Sequence, residues 1–228
     1  MKTFVVGDIH GAYRALLQCF ERCGFDHAED RLIVLGDVCD GYPEVRQCLD
    51  ELLKVKHCDC LLGNHDLWAL DWATVGWKEA IWLNQGGKAT IGSYGNQPMP
   101  KAHIDFLKDA FLWLEIEDKV FVHAGFNPAR PLSAHDRFDL IWDRDLIEQA
   151  YKASKINPDY QFSAFKEIYL GHTTTRTFGS TKPLKLCNVW ALDTGAGWSG
   201  CLTIMNVHTK EYWQSDLTPI LYSDCRHK

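Results

Sequence analysis

The chain has 228 residues, a length that suits one α/β domain with a substantial core. Hydrophobic residues make up 46% of the chain and charged residues 24%, which is ordinary for a soluble globular protein. The net charge is −6 and no run of five basic residues occurs, so neither a nucleic acid nor an anionic membrane surface is expected as the main partner.

No stretch approaches the ~18 apolar residues that span a bilayer, and the apolar start of the chain, residues 3–6, is too short for the core of a signal peptide. The nine cysteines are scattered without a Cys-x-x-Cys pair. We therefore expect reduced, mostly buried thiols in a cytoplasmic protein rather than a zinc site.

The first half of the chain alternates between predicted strands and predicted helices. The strands are predicted over 3–6, 31–35 and 58–62, and the helices over 12–23 and 43–56. Gly24 is expected to end the first helix and Pro43 to lie in the first turn of the second. Strand–helix–strand repeats of this length imply right-handed crossovers and a parallel sheet.

The rest of the chain changes character twice. Residues 67–115 are rich in tryptophan and have a helical pattern, which NQGGKAT (84–90) interrupts. Trp68 and Trp72 have helical spacing and are expected to pack in the core. From residue 120 onward, short predicted strands end in loops. We predict an α/β fold in which two mixed sheets pack on each other with helices outside, as a single domain over residues 1–228.

Polar side chains recur where predicted strands end, in the motifs GDIHG, GDVCDG, GNHD, HAG and GHT. Their chemically active residues are Asp8, His10, Asp37, Asp40, Asn64, His65, His123 and His172. Because the carboxyl ends of strands in an open α/β sheet form the crevice where ligands bind, these side chains are expected to converge. Taken singly, each motif is an ordinary loop, and a lone strand-end histidine is more often structural than a ligand. Five such motifs, each after an apolar strand, favour a metal centre.

The donor types narrow the choice of metal. Carboxylates, an amide oxygen and imidazoles, without a thiolate, suit Mn²⁺, Fe or Zn²⁺ better than Ca²⁺. Six such ligands exceed what one tetrahedral ion needs. They fit two ions that share a carboxylate, the arrangement that clamps both oxygens of an in-line displacement at phosphorus.

In this order the motifs resemble the phosphoprotein phosphatase family of binuclear metallophosphoesterases. The similarity is to the bacterial and phage branch that includes bacteriophage lambda phosphatase, and it extends to LIWDR (140–144) and to residues 182–207. It implies the calcineurin-like metallophosphoesterase fold and two divalent ions, for which we favour Mn²⁺ over Fe or Zn²⁺. The implied metal ligands are Asp8 and His10 for one ion, Asp37 as the bridge, and Asn64, His123 and His172 for the other.

The same resemblance implies a mechanism. A bridging water, whose pKa two cations lower towards about 7, would attack phosphorus directly. His65 would protonate the leaving group, Asp40 would orient His65, and Asn64 and Arg144 would bind the substrate phosphate. The implied substrate is a phosphorylated protein side chain, of the serine/threonine type. The alternatives are a symmetrical dinucleoside tetraphosphate or another small phosphoester; a silent scaffold is disfavoured because every expected ligand is present.

One position departs from the family pattern. Gly41 stands where most relatives place a phosphate-binding arginine, and Leu62 replaces a second one, so Arg144 alone remains. Two interpretations of Gly41 stay open: it makes room for a wider substrate, or for a basic side chain from elsewhere. The candidates for that side chain are Lys88, Arg130 and Arg176.

Overall fold

The computed structural model describes residues 1–95 and 97–223 of the chain. Within this part, ten strands form two five-stranded sheets. In chain order the strands are β1 (Thr3–Val6), β2 (Arg31–Val34), β3 (His57–Cys60), β4 (Trp113–Ile116), β5 (Lys119–Val122), β6 (Glu167–Leu170), β7 (Leu184–Leu186), β8 (Val189–Ala191), β9 (Thr203–Asn206) and β10 (Tyr212–Gln214).

Helices cover the outer faces of the sheets. They are α1 (Tyr13–Cys23), α2 (Val45–Leu52), α3 (Asn64–Val75), α4 (Ala80–Trp82), α5 (Lys88–Ser93), α6 (Lys101–Lys108), α7 (Arg137–Trp142), α8 (Asp145–Ser154) and α9 (Thr218–Leu221). A kinked turn, Leu83–Gly87, in which Gln85 and Gly86 have non-helical backbone angles, joins α4 to α5. Among the described residues, no helix is both long enough and apolar enough to cross a bilayer.

Both sheets are mixed, as predicted. The first has the order β10-β9-β1-β2-β3, in which β1, β2 and β3 are parallel and β9 and β10 are antiparallel additions. The second has the order β4-β5-β6-β8-β7, in which β5, β6 and β8 are parallel between two antiparallel edge strands. The parallel strands therefore point their carboxyl ends toward one edge in each sheet, where the strand-end motifs lie.

Alternation along the strands explains why the sheets pack face to face. Phe4 and Val6 point into the helices that cover the first sheet, whereas Val5 points toward the second sheet. In the second sheet Tyr169 points back, and its ring stacks on that of Phe121 at 4.7 Å. All five side chains are fully buried. The predicted α/β fold with two packed sheets is confirmed.

Three local predictions are wrong or incomplete. Helix α2 begins at Val45, so Pro43 lies before it; the backbone N–H groups of Tyr42 and Glu44 bond instead to the carbonyls of His10 and Gly11, which hold this segment outside the helix. The same helix ends at Leu52 rather than at residue 56. The helical pattern predicted up to residue 115 includes β4, because pairing with β5 overrides local preference there.

The eight cysteines among the described residues are free, as expected.

Candidate active site

The loops after five strands bring the predicted residues to one place. Two groups of donor atoms form there, and within each group the atoms lie within 4.8 Å of one another. The groups are His10, Asp37 and His65, and Asp37, His123 and His172. Asp37 belongs to both groups and lies after β2, between residues from the first and second sheets.

The carboxylate of Asp37 is held so that one oxygen faces the centre. Its Oδ1 accepts the backbone N–H of His65 at 2.9 Å, at the start of α3. Its Oδ2 lies 3.4 Å from Nε2 of His123 and 3.7 Å from Nε2 of His10. The neighbouring turn needs glycine at position 63, because a Cβ there would collide with the Asp37 carboxylate.

His10 and His123 are oriented alike, with Nδ1 toward a backbone carbonyl and Nε2 toward Asp37. Nδ1 of His123 donates to the carbonyl of Leu35 at 2.7 Å, and Nδ1 of His10 donates to the carbonyl of Cys39 at 3.1 Å. A carbonyl only accepts, so in the neutral rings Nε2 keeps its lone pair for the centre. Nε2 of His123 also lies 3.3 Å from Oδ1 of Asn64.

His172 supplies the observation that fits a metal ligand best. Its Nε2 is buried and has no hydrogen-bond partner within the described part of the chain. A buried polar atom without a partner is costly unless something else binds it. Together with the nitrogen and oxygen donors around Asp37, this atom makes the site chemically suited to divalent ions.

Electrostatics separate the histidines into two kinds. Burial lowers the pKa of His10 to about 4, and burial together with the charges of His123 and Arg144 lowers that of His172 to about 3. Burial opposes protonation of His123, but the charge and hydrogen bond of Asp37, the charge of Asp8 and the hydrogen bond to Leu35 together outweigh it and raise the pKa of His123 to about 10. In the ion-free protein, Asp37 and His123 therefore form an ion pair.

Asp8 lies beside the two donor groups rather than in them. Its carboxylate oxygens accept the backbone N–H of His172 at 2.9 and 3.1 Å. Burial, followed by the charge of Asp193, raises the pKa of Asp8 well above its ordinary value. Sequence analysis missed Asp193, whose own pKa burial raises to about 6. The signal was present: Asp193 follows an apolar strand, β8, as the recognised residues follow theirs.

His65 and Asp40 form a buried pair next to Asp37. Nδ1 of His65 lies 2.8 Å from Oδ2 of Asp40, which is 0% exposed. Burial opposes protonation of His65, but the charges of Asp37 and Asp40 outweigh it and raise the pKa of His65. Burial also raises the pKa of Asp40, while the hydrogen bond from His65 acts in the opposite direction. The arrangement suits a histidine that gives up a proton from Nε2.

Asp66 links the two loops that carry Asp37 and His65. Its Oδ1 accepts the backbone N–H groups of Val38 and Cys39, both at 2.9 Å, and its Oδ2 accepts that of Gly63 at 3.2 Å. The side chain is fully buried. The motif GNHD ends with this acid, but the sequence did not indicate its role in fixing the site.

An aromatic wall, defined as Trp68 and Trp142, connects the two histidines His65 and His172. The ring of Trp68 lies 5.1 Å from that of His65 and 5.2 Å from that of Trp142. The ring of Trp142 lies 5.8 Å from that of His172. Both tryptophans are half-buried, so Trp68 is not only a core residue as predicted but also a neighbour of the proposed acid.

The basic residues predicted for phosphate binding are placed differently from one another. Arg144 is exposed and precedes α8; its carbonyl accepts the backbone N–H of Glu148, while its guanidinium makes no hydrogen bond or ion pair among the described residues. Its charge acts on the pKa of both His172 and Asp193, so it lies within electrostatic range of the site. Arg130 bonds the carbonyl of Ala134 and lies 3.9 Å from Asp139.

The remaining two candidates are exposed as well. Arg176 donates to the carbonyl of Ser199 at 3.2 Å, and Lys88 begins helix α5. Gly41 has φ +81°, and a Cβ there would lie 3.0 Å from both Cβ and the carbonyl oxygen of His10. Backbone conformation and close packing therefore account for the small residue at position 41 without reference to substrate size.

Comparison with known proteins agrees with this geometry. The sequence profile of calcineurin-like phosphoesterases matches residues 1–187. Serine/threonine-protein phosphatase 1 of Salmonella typhimurium is 29% identical over 213 residues, which cover 90% of this chain and 91% of that protein. A symmetrical bis(5'-nucleosyl)-tetraphosphatase of Pseudomonas putida is 26% identical and covers 95% of this chain and 93% of its own.

The fold has solved counterparts. A structure provisionally named as a diadenosine tetraphosphatase superposes with a TM-score of 0.70 at 18% identity, covering 93% of this chain and 92% of its own. The resemblance to metal-dependent phosphatases inferred from the strand-end motifs is thereby confirmed, whereas the phage branch stays a prediction. With the profile match extending over residues 1–187, the chain belongs to the calcineurin-like phosphoesterase family.

Proposed function

We propose that this phosphoesterase is a metal-dependent phosphomonoesterase that hydrolyses phosphorylated protein side chains of the serine/threonine type. The observation that carries the proposal is the His65–Asp40 pair, which stands beside the two donor groups that share Asp37. A proton donor next to a dinuclear centre is what the departure of an alkoxide from phosphorus needs.

The proposed ligand set follows the motif resemblance, because the donor groups themselves contain His65 rather than Asp8 and do not include Asn64. Asp8, His10 and Asp37 would hold one ion, and the second would be held by Asp37, Asn64, His123 and His172. We favour Mn²⁺ among the ions that nitrogen and oxygen donors suit, which include Fe and Zn²⁺. When bound, two such ions lower the pKa of water and neutralise charge on the phosphoryl oxygens.

Side chains would transfer the proton to the leaving group and bind the phosphate. Asp40 keeps the Nδ1 proton of His65 in place, so the proton on Nε2 is the one that moves to the leaving-group oxygen. Arg144, which has no competing ion pair among the described residues, is the cation proposed to bind the phosphate together with Asn64. No side chain is required as a nucleophile, so hydrolysis proceeds without a phosphoenzyme.

The choice of a protein substrate rests on likeness over the whole chain. The Salmonella protein named as a serine/threonine phosphatase aligns with nine-tenths of this chain and has nearly the same extent. The alignment with the Pseudomonas tetraphosphatase covers as much of this chain, but it runs over 279 residues against 213 and so includes insertions relative to this chain.

A second candidate substrate is a symmetrical dinucleoside tetraphosphate. The aromatic wall of Trp68 and Trp142 supports it, since a nucleobase stacks on half-buried aromatic rings. The Pseudomonas relative carries the name of that activity.

Turnover by the Mn²⁺-loaded protein separates the two candidates. We expect phosphate release from phosphoserine and phosphothreonine peptides at a kcat/KM above that for dinucleoside tetraphosphate cleavage. The Asp37→Asn protein, purified identically, controls for contaminating phosphatases. Faster cleavage of the tetraphosphate, with a KM that rises in Trp68→Leu, would transfer the assignment to the second candidate.

A further inference from the structure

We propose that Trp82 and Thr90 are positioning residues that hold Asp40 against His65 and thereby aim the proton of His65 at the leaving group. This inference rests on the proposed function, because it assigns a task to residues that act through the proposed acid. Neither residue belongs to a strand-end motif, and the sequence indicates Trp82 only as one of several tryptophans expected to pack in the core.

The first step of the argument is the set of contacts at the Asp40 carboxylate. Nε1 of Trp82 lies 2.8 Å from Oδ2 and 3.0 Å from Oδ1. Oγ1 of Thr90 donates to Oδ1 at 2.6 Å, and Nδ1 of His65 lies 2.8 Å from Oδ2. Asp40, Trp82 and Thr90 are all 0% exposed. Protein donors on both oxygens prevent rotation of the carboxylate away from His65.

The second step is the backbone of Asp40. Its φ is +68°, a left-handed value that is uncommon for a residue with a side chain. The backbone N–H of Asp40 donates to Oγ1 of Thr90 at 2.9 Å, while the same hydroxyl donates to the carboxylate. Thr90 thus bonds to both the main chain and the side chain of Asp40, and fixes the one relative to the other.

The third step is the role of the two glycines in the segment NQGGKAT (84–90), which joins Trp82 to Thr90. Trp82 ends α4 and Thr90 lies in α5, with the kinked turn Leu83–Gly87 between them. A Cβ on Gly87 would collide with the indole of Trp82, and one on Gly86, whose φ is +111°, would lie 2.5 Å from the backbone nitrogen of Gly41. Both glycines are therefore needed to bring this turn onto Asp40.

The test compares leaving groups. In the Mn²⁺-loaded protein, Trp82→Phe and Thr90→Val should each lower kcat for a phosphoserine peptide by about tenfold, a fraction of the effect of losing a general acid. KM and metal content should stay unchanged, and turnover of p-nitrophenyl phosphate should fall little, since nitrophenolate leaves without a proton. Thr90→Ser keeps the hydroxyl and should retain activity.

Trp72→Phe is the matched control. The ring of Trp72 lies 5.9 Å from that of Trp82, but its indole makes no hydrogen bond to Asp40. Its replacement should leave both substrates unaffected. In a His65→Asn background, Thr90→Val should cause no further loss, because the two changes act on one step. Full additivity there, or equal losses on both substrates, would overturn the inference.

A spectroscopic readout keeps this inference separate from the proposed function. The proton between His65 and Asp40 should give a downfield ¹H resonance that is absent in His65→Asn and shifted in Thr90→Val and Trp82→Phe. If the unmodified protein hydrolyses no phosphoester, the proposed function is overturned. The resonance would still test whether Trp82 and Thr90 position Asp40 against His65. A resonance unmoved in both variants would show that Trp82 and Thr90 do not position the pair.

Discussion

Oδ2 of Asp37 lies 3.4 Å from Nε2 of His123, so a carboxylate from the first sheet meets an imidazole from the second across the seam between them. His10 approaches the same oxygen at 3.7 Å. One oxygen atom thus faces donors from both sheets, and three predictions depend on it or on its neighbours.

Replacing Asp37 by asparagine should empty at least one metal position. The substitution removes the negative charge that both donor groups share while keeping the size of the side chain. Metal content after dialysis, measured by mass spectrometry, should fall below two Mn²⁺ ions per chain, and hydrolysis of aryl and alkyl phosphates should be lost. Two retained ions with full turnover would contradict the dinuclear assignment.

Metal affinity should increase with pH. The pKa of His123 in the ion-free protein is about 10, so near neutral pH its proton must leave when Nε2 binds an ion. The ordinary pKa of histidine is about 6.5, so the raised value means that protonated His123, paired with Asp37, stabilises the ion-free fold. This stabilisation is complete below about pH 6.5 and is lost as the pH rises through about 10. Both effects favour the metal-bound form at higher pH.

Titration calorimetry with Mn²⁺ in two buffers of different ionisation enthalpy measures this effect. Proton release on binding is expected near pH 7, and the release should diminish above pH 10. Binding that exchanges no proton at neutral pH would show that His123 is already neutral there.

His65→Asn should leave metal binding largely intact and lower kcat by about 10²–10⁴, the usual range for losing a general acid. The loss should be much smaller for nitrophenyl esters than for alkyl esters, since a good leaving group needs little protonation. Asp40→Asn should give a milder version of the same pattern. Equal losses on all esters would assign His65 another role.

Arg144→Ala should lower kcat/KM by about 10²–10³, the scale of losing one preorganised donor in the transition state. The effect should be severe because position 41 carries no guanidinium to share the task. Arg130→Ala is the control, since that side chain is engaged with Ala134 and Asp139. Unchanged turnover in Arg144→Ala would mean that other groups hold the phosphate.

Gly41→Ala should destabilise the protein more than Gly24→Ala. Both glycines have positive φ, +81° and +63°, so alanine at either position costs about 1–2 kcal/mol of conformational free energy. A Cβ at position 24 meets nothing within 4 Å, whereas one at position 41 presses on His10. Chemical denaturation should show a larger loss for Gly41→Ala, accompanied by weaker metal binding. For the same reason, Gly41→Arg is not expected to restore a phosphate-binding arginine.

The parts of the site that were predictable depend on local pattern. A short apolar strand followed at once by Asp, Asn or His can be recognised from about ten residues of sequence. Because parallel strands end at a common edge, the side chains that follow them are expected to lie close together. The metal-ligand candidates after β1, β2, β3, β5 and β6 were found in this way.

The parts that were not predictable depend on contacts between distant segments. Trp82 and Thr90 lie 42 and 50 residues from Asp40 in the chain, and the indole looked like another core aromatic. Asp66 was visible as a helix-start acid, but its three backbone partners were not. No periodicity reports which of several buried side chains will meet a particular carboxylate.

Within the described residues, seven residues other than glycine have positive φ, and four of them belong to the candidate active site: His10, Asp37, Asp40 and His172. Such conformations cost about 1–3 kcal/mol each and persist only where the surrounding structure imposes them. Glycine at one of these four positions would relieve that cost but would remove a side chain that is proposed to bind metal or to position His65. Thermal stability and the proposed activity therefore place opposite demands on these four positions. Selection for thermal stability alone would favour variants that keep the fold and lose the proposed activity.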